Sequence, residues 1–249
     1  GEPIESGNIS KVGNTTRTEE GFEIAYFYGI KTEGVFNTQD ELDSYVNEEG
    51  NPIQPNAQLG DVKFVDLNND GKINEEDRTY LGSATPDFIY GGYANLFFEG
   101  FDLKLFIQGS QGNEIVNGLT RFIRASNGWE NSISDRLDRW TPENPGSNEP
   151  RMTDKDLNKN IETFSDRYVE DGSYVRLKNI QLGYTIPINK KVISKMRVYV
   201  SIDNALTWTN YTGFDPEIAD YYLNPLYSGI DIANYPIARS YMFGLQMNF

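Results

Sequence analysis

The 249-residue sequence contains neither cysteine nor histidine. These absences exclude disulfide bonds, metal sites built from thiolates or imidazoles, Ser-His triads and cysteine nucleophiles. Oxygen atoms are therefore the ligands that remain for a metal ion. Basic residues are also scarce, with 22 Lys and Arg against 37 Asp and Glu. The resulting charge of −15 argues against nucleic acid as a partner, because its phosphates would be repelled.

Long apolar segments are missing as well. No run approaches the roughly 18 residues of a transmembrane helix, and the first ten residues have neither the basic nor the apolar part of a signal peptide. The sequence thus predicts either a soluble protein or the C-terminal piece of a longer one. Aromatic residues, in contrast, are abundant: they make up 13%, with 16 Tyr and 14 Phe. That content is typical of a membrane β-barrel with aromatic girdles.

The final segment, 237–249, alternates apolar residues with small or polar ones, with Met242 as the exception. This period of two predicts a strand with one apolar face. Chain ends usually fray and are polar, whereas an outer-membrane strand places alternate residues toward lipid. The residues predicted to form a membrane-facing signal for barrel assembly are Tyr241, Phe243, Leu245, Met247 and Phe249.

Four earlier segments show the same alternation and complete an all-β prediction. The predicted strands are 87–99, 101–111, 173–186, 196–206 and 237–249, and Glu99-Gly100 predicts a tight hairpin between the first two. By parity, Arg176 and Lys178 fall at the end of an apolar face, where they could meet anionic head groups. A strand of a soluble sandwich has the same pattern, so the pattern alone leaves both architectures open.

Two long segments, 112–172 and 207–236, interrupt these strands and are predicted to be functional loops. They contain the aromatic residues considered as substrate or partner contacts, for which packing within the loop or girdle is the more common role. These residues are Trp129, Trp140, Trp208 and Tyr211.

The region 1–86 is predicted to be a loop region. Thr38 and Glu41 form a capping-box pattern for a short helix that reaches about Val46. Residues 66–77 match the spacing of an EF-hand calcium loop, with Gly71 at the sharp turn. The predicted calcium ligands are Asp66, Asn68, Asp70, Asp77 and, through its carbonyl, Lys72. The alternative is an Asx-rich turn that caps a short helix over 74–81.

Taken in series, several stretches resemble one family. GDVKFVDLNNDGKINEEDRTYLGSATPDFIYGGYANLFFEGFDLKLFIQGSQGN, DGSYVRLKNIQLGYTIP, VYVSIDNALTWTNYTGFDPE and the aromatic C-terminus are similar to the last part of SusC/RagA-type TonB-dependent outer-membrane transporters, over about residues 22–249. The resemblance implies the C-terminal strands of a large antiparallel transmembrane β-barrel with a plugged lumen. Five strands cannot close such a barrel, so the chain is expected to be a fragment of a longer transporter.

The resemblance also implies function and location. It implies import of oligosaccharides or peptides across the cell outer membrane, together with a SusD-like surface lipoprotein and driven through TonB. The strands within 87–249 would contact lipid. The two long loops and the calcium-like loop would face the cell exterior. The alternative is a soluble, calcium-stabilised β-sandwich that binds carbohydrate or mediates adhesion. An enzyme is not predicted, because adjacent acids such as Glu75 and Glu76 are typical of a solvated surface.

Overall fold

The computed structural model of the chain describes residues 1–10, 12–124, 132–188, 193–218 and 224–249. Strands dominate, in agreement with the all-β prediction. They are β1 Ile4–Ser6, β2 Thr16–Thr18, β3 Tyr26–Ile30, β4 Thr32–Val35, β5 Val62–Phe64, β6 Arg78–Gly82, β7 Phe88–Phe98, β8 Phe101–Gln111, β9 Glu114–Asn117, β10 Val169–Asp171, β11 Tyr174–Ile186, β12 Lys195–Thr209, β13 Ile230–Asp231 and β14 Ser240–Asn248.

Helices are few and short: α1 spans Gln39–Ser44 and α2 spans Thr120–Ile123, with 3-10 turns at Glu75–Asp77, Ser134–Asp138, Asp166–Tyr168 and Pro225–Tyr227. The capping box predicted for α1 is confirmed, since Thr38 accepts a hydrogen bond from the Glu41 N–H and Glu41 accepts one from the Thr38 N–H. Within the parts of the chain that the structure describes, none of the helices is long and apolar enough to cross a membrane.

The chain forms two compact units, of which the first contains 1–84, 114–170 and 218–233. Its strands form a four-stranded sheet in the order β1-β2-β3-β6, a three-stranded sheet β10-β9-β13 and the pair β4-β5. Its core combines residues from all three stretches: Ile9, Phe27, Val116, Phe164, Tyr168 and Ile230. The region 1–86, predicted to be a loop region, contributes β1 to β6 to this unit. Its strands are only three to five residues long, and β3 is buried on both faces, so no period of two marks them.

The second unit contains 85–113, 171–217 and 234–249 and forms one antiparallel sheet in the order β14-β12-β11-β8-β7. Each strand overlaps the range predicted for it, and the largest differences are at the end of β12, which continues to Thr209, and at the start of β14. The β7–β8 hairpin turns at Glu99 and Gly100, which both have positive φ and so give the right-handed twist of a tight two-residue loop.

Candidate functional site

The five-stranded sheet of the second unit has one apolar face that is exposed. The cross-strand register places apolar side chains from all five strands on this face. They include Leu96, Leu103, Leu105, Ile180, Leu182, Val198, Val200, Ile202, Tyr241, Phe243 and Leu245. A contiguous apolar patch of this kind marks an interaction surface on a protein, whether for lipid or for another chain.

The residues predicted as an assembly signal lie along this face on β14. Tyr241, Phe243, Leu245 and Met247 pair with the apolar residues of β12, from Ile202 to Met196. Tyr241 and Phe243 are 71% and 76% exposed, and Phe249, which follows β14, is 85% exposed. The one apolar exception in the pattern, Met242, pairs with Ser201 on the opposite face.

The opposite face carries a network of polar side chains. Arg197 on β12 donates from Nε to Asp102 Oδ1 on β8 at 2.8 Å, and from Nη2 to Gln181 Oε1 on β11 at 3.0 Å. Further along the same face, Asn179 donates to Ser201 Oγ at 2.9 Å and to Asp203 Oδ1 at 2.6 Å. The sheet is therefore amphipathic over β11, β12 and β14, with an apolar exposed face and a hydrogen-bonded polar face. At the other edge, β7 and β8 also place Tyr93, Phe97 and Phe106 on the polar face.

A β-bulge changes the face that sequence parity predicts for Arg176. The register of β11 shifts between Leu177 and Asn179, so Arg176 pairs with Gln108 and Thr207 on the polar face. The prediction that Arg176 ends the apolar face is therefore wrong. A bulge adds one residue to a strand and inverts the parity on one side of it, and the sequence around Leu177 gives no sign of it.

Arg176 is buried and joined to the chain that follows β12. Its Nη2 donates to Asp215 Oδ1 at 2.5 Å and its Nη1 donates to Glu217 Oε2 at 2.9 Å. Lys178, in the bulge, donates to the same Glu217 carboxylate at 2.7 Å. Asp215 Oδ2 also accepts a hydrogen bond from the Ile237 N–H at 3.0 Å. The two ends of the segment between β12 and β14 are thus tied together at β11.

The calcium-like loop is held by hydrogen bonds from its own backbone. Asp66 accepts from the N–H groups of Asp70 and Gly71, at 3.1 and 2.8 Å. Asp77, predicted as the closing ligand, is fully buried and accepts from the N–H groups of Leu67 and Asn74, each at 2.8 Å. The i+2 hydrogen bonds that define Asx turns are also present, because Asn74 accepts from the Glu76 N–H at 2.7 Å.

The other predicted ligands lie in the same loop. The Asn68 side-chain oxygen accepts from the Asp70 N–H at 2.9 Å, and Asp70 Oδ1 accepts from the Lys72 N–H at 3.1 Å. An oxygen that accepts one hydrogen bond keeps a lone pair for a cation, so Asp66, Asn68 and Asp70 fit calcium chemically. Asp77 fits less well, because it is fully buried and its Oδ1 accepts from the N–H groups of both Leu67 and Asn68. Across the described ranges, however, no group of three or more acidic side chains is close enough to form a metal site. Calcium binding therefore stays a prediction.

The prediction of a short helix over 74–81 is wrong beyond Asp77. Only Glu75–Asp77 forms a 3-10 turn, and the chain continues from Arg78 as strand β6. Arg78 donates to the carbonyls of Asn14 and Tyr28, at 2.5 and 2.7 Å, and β6 pairs with β3. These tertiary contacts override the local helical preference.

The predicted contact aromatics do not form one site. Trp208 is 54% exposed and pairs with Val175 on the apolar face of the sheet. Trp140 and Tyr211 are buried, in the first and second units respectively. Trp140 packs against Gly60, where a Cβ atom would lie 2.5 Å from the indole ring. Trp129 lies outside the described residues. Their role as contacts thus stays a prediction.

Comparison with known proteins gives relatives of one kind, although no family model matches. The chain is 35% identical over 237 residues to TonB-dependent receptor P3 of Formosa agariphila, covering 92% of this chain and 22% of the relative. It is 32% identical to TonB-dependent receptor P26 of the same organism, covering 95% and 24%. It is 23% identical to TonB-dependent receptor SusC of Bacteroides thetaiotaomicron, with 99% of this chain and 22% of that relative covered.

A solved structure has the same fold over nearly the whole of this chain. A chain in the structure of the RagAB peptide transporter matches with a TM-score of 0.71 and 22% identity, covering 99% of this chain and 25% of that chain. The resemblance to SusC/RagA-type TonB-dependent receptors is therefore confirmed. The chain spans about a quarter of the length of the relatives it matches.

Proposed function

We propose that this chain is the C-terminal part of a SusC/RagA-type TonB-dependent outer-membrane transporter, in which β7, β8, β11, β12 and β14 are neighbouring strands of the barrel wall. The observation that carries the proposal is the amphipathic sheet. Its apolar face suits lipid and its hydrogen-bonded polar face suits the lumen of a barrel. The strands are also long enough, since a tilted strand needs about 9 to 11 residues to span a bilayer and β8 has 11.

Connection lengths support a transmembrane orientation. The register places the β7–β8 hairpin, the end of β11 and the start of β12 at one end of the sheet. The long segments after β8 and β12 leave from the other end, where Tyr174 pairs with Ser110 and Thr209. Bacterial barrels have short periplasmic turns and long extracellular loops. On this basis, 112–172 and 207–236 are extracellular, as is the loop 66–77.

The alternative, a soluble sandwich, fits the exposed face less well. A sandwich packs two sheets face to face and buries the apolar side chains between them. Phe243, Tyr241 and Leu96 are instead largely exposed on the two edge strands, β14 and β7, and Leu182 and Val200 on the inner strands are about half exposed. In water, an exposed apolar surface of this kind would promote aggregation, whereas a lipid bilayer would cover it.

Substrate and partners are proposed by analogy with the relatives. The matched structure is described as a peptide transporter, and SusC is one of the relatives. We assign to the whole polypeptide the import of oligosaccharides or peptides, with a SusD-like surface lipoprotein as partner and energy supplied through TonB. The extracellular segments, with Trp129, Trp140 and Tyr211, would contribute to the substrate or partner surface, and Trp208 would lie in an aromatic girdle. Calcium in the loop 66–77 would be structural.

The absence of cysteine from these 249 residues allows a direct test of the two faces, once any cysteine elsewhere in the native polypeptide is replaced by serine. Leu245→Cys and Gln246→Cys place single thiols on adjacent residues of β14 that point to the apolar and polar faces. Each variant is made in the native polypeptide that carries this chain. The new thiol is labelled with a fluorophore, and the labelled protein is reconstituted into vesicles with brominated lipids. We expect strong quenching at position 245 and weak quenching at 246. Equal quenching, or a native product of about 28 kDa that stays soluble without detergent, would overturn the proposal in favour of the soluble module.

A further inference from the structure

A cleft in the first unit, which we call the Phe64 cleft, is lined by separate stretches of the chain. They are 53–56, Phe64 of β5, Lys72 and Ile73 of the calcium-like loop, and 157–163. All of them belong to the first unit. The cleft has a volume of about 330 Å³, which lies within the size range of small-molecule sites.

Part of the lining is apolar. The apolar side chains are those of Ile53, Phe64, Ile73 and Leu157. Phe64 is almost fully buried in a small core cluster, and Ile73 packs against that cluster. Leu157, in contrast, is 58% exposed. Because covering exposed apolar surface is favourable, a ligand with an apolar part would gain free energy here.

Two amide side chains hold the lining in place. Gln54 is only 7% exposed; its Oε1 accepts from the Phe64 N–H at 2.8 Å, and its Nε2 donates to the Val62 carbonyl at 3.0 Å. Asn158 donates to the same carbonyl at 3.0 Å and accepts from Gln54 at 2.9 Å. These bonds join stretches about 100 residues apart, so the cleft is formed before any ligand binds, which lowers the cost of binding.

Four other polar side chains of the lining are free for a ligand. Lys72 and Lys159 both line the cleft, and the ion pairs that lysines form among the described residues include neither of them. Asn56 and Thr163 complete the set, and within the described ranges their side chains make no hydrogen bond. The cleft therefore offers two ammonium groups, an amide and a hydroxyl beside an apolar surface.

Acidic side chains do not neutralise the two lysines within the cleft. Of the acids that the structure describes, none is part of its lining. Asp156 and Glu162, which are close in sequence, lie outside it, and Asp156 accepts from the N–H groups of Asn160 and Ile161, at 2.8 and 2.9 Å. Asp70 of the calcium-like loop lines another cleft. The lining thus carries positive charge on a chain whose net charge is −15.

We propose that the Phe64 cleft binds a carboxylate carried on an apolar body, with Lys72 and Lys159 as its counter-charge. An ammonium group is a point charge that attracts any anion, and the apolar lining selects an organic anion over an inorganic one. The C-terminal residue of a peptide and an acidic sugar both supply a carboxylate. The lining favours the peptide, because an aliphatic side chain buries more apolar surface against it than a sugar does. Binding at this site does not depend on the transport function proposed above.

The test is saturation-transfer difference NMR on the native polypeptide that carries this chain, purified in detergent. Dissociation constants are measured for N-acetyl-leucine, for its neutral amide and for glucuronate. We expect N-acetyl-leucine to bind about tenfold more tightly than the amide, because the amide lacks the charge that the lysines attract. Tighter binding of glucuronate than of N-acetyl-leucine would keep the carboxylate site but assign it to a sugar acid.

Variants assign the preference for the acid to the two lysines, which are exposed and can be replaced without disturbing the core. In the double variant Lys72→Gln/Lys159→Gln, the acid and the amide should bind about equally. Leu157→Ser should weaken both about fivefold, because apolar contact is lost. Lys155→Gln removes an exposed charge outside the lining and should change neither constant. No preference for the acid in the wild type, or a preference that persists in the double variant, would overturn the proposal.

Discussion

Arg197 on β12 and Asp102 on β8 form an ion pair that passes over Gly183 of the intervening strand β11. The two partners do not belong to adjacent strands, so their side chains must cross the face of β11 to meet. A Cβ atom on Gly183 would lie 2.3 Å from Arg197 Nη2 and 2.6 Å from Asp102 Oδ1. The absence of a side chain at this position is therefore what allows the pair to form.

Gly183→Ala should break this ion pair. The new methyl group displaces the guanidinium, and the mostly buried Asp102 carboxylate loses its partner, so we expect the free energy of unfolding to fall by about 1 to 3 kcal/mol. The measurement is the thermal unfolding midpoint of the detergent-solubilised native polypeptide. Gly92→Ala on β7 is the matched control, because nothing lies within 4 Å of a Cβ atom there. If both variants unfold at the same temperature, the pair contributes no stability.

The second unit was largely predictable because its strands are long and face two different environments. Along β8, for example, Leu103 and Leu105 alternate with Asp102 and Lys104, and this period of two indicates a strand directly. The first unit has strands too short for such a pattern, and Phe27 and Val116 meet in its core although they are distant in sequence. Single-sequence patterns contain no information on contacts of this range.

The polar side of the sheet was only partly predictable. The sequence places Gln181 and Asn179 on the polar face, as in the structure, but it does not indicate the bulge that adds Arg176 to them. Asp215 and Glu217, two residues apart after β12, could have suggested an acidic partner for a nearby arginine. The Phe64 cleft gave no signal, since the residues that line it are separated by many residues along the chain.

Arg176→Gln should destabilise the second unit more than Lys178→Gln. Loss of Arg176 leaves the Asp215 carboxylate without its ion-pair partner beside the sheet, at a cost of about 3 kcal/mol, whereas Lys178 is more exposed and pairs with Glu217 alone, so its loss costs about 1 kcal/mol or less. Limited proteolysis should cut between 210 and 217 faster in Arg176→Gln than in the wild type. A faster cut in Lys178→Gln than in Arg176→Gln would contradict the dominant role assigned to Arg176.

Calcium should protect the region 61–81 from protease, and replacing Asp66 and Asp70 with Ala should abolish that protection. Both side chains belong to the loop and offer carboxylate oxygens to a cation. Asp154→Ala, an exposed acid outside the loop, is the control for lost charge. Digestion is followed by mass spectrometry with calcium or with chelator. Protection that persists in the double variant would mean that the loop is an Asx-turn structure without metal.

Deletion of Phe249 should impair insertion of the native polypeptide into the outer membrane. The ring follows β14 and is almost fully exposed, like Tyr241 and Phe243 on the apolar face, so it contributes little to the folded unit itself. A loss of assembly would thus indicate recognition of the aromatic end during insertion rather than a loss of packing. Asn248→Ser, which keeps the terminal aromatic, should insert normally. The measurement is the fraction of polypeptide recovered in the outer membrane, and normal insertion of the deletion variant would contradict the role assigned to this residue.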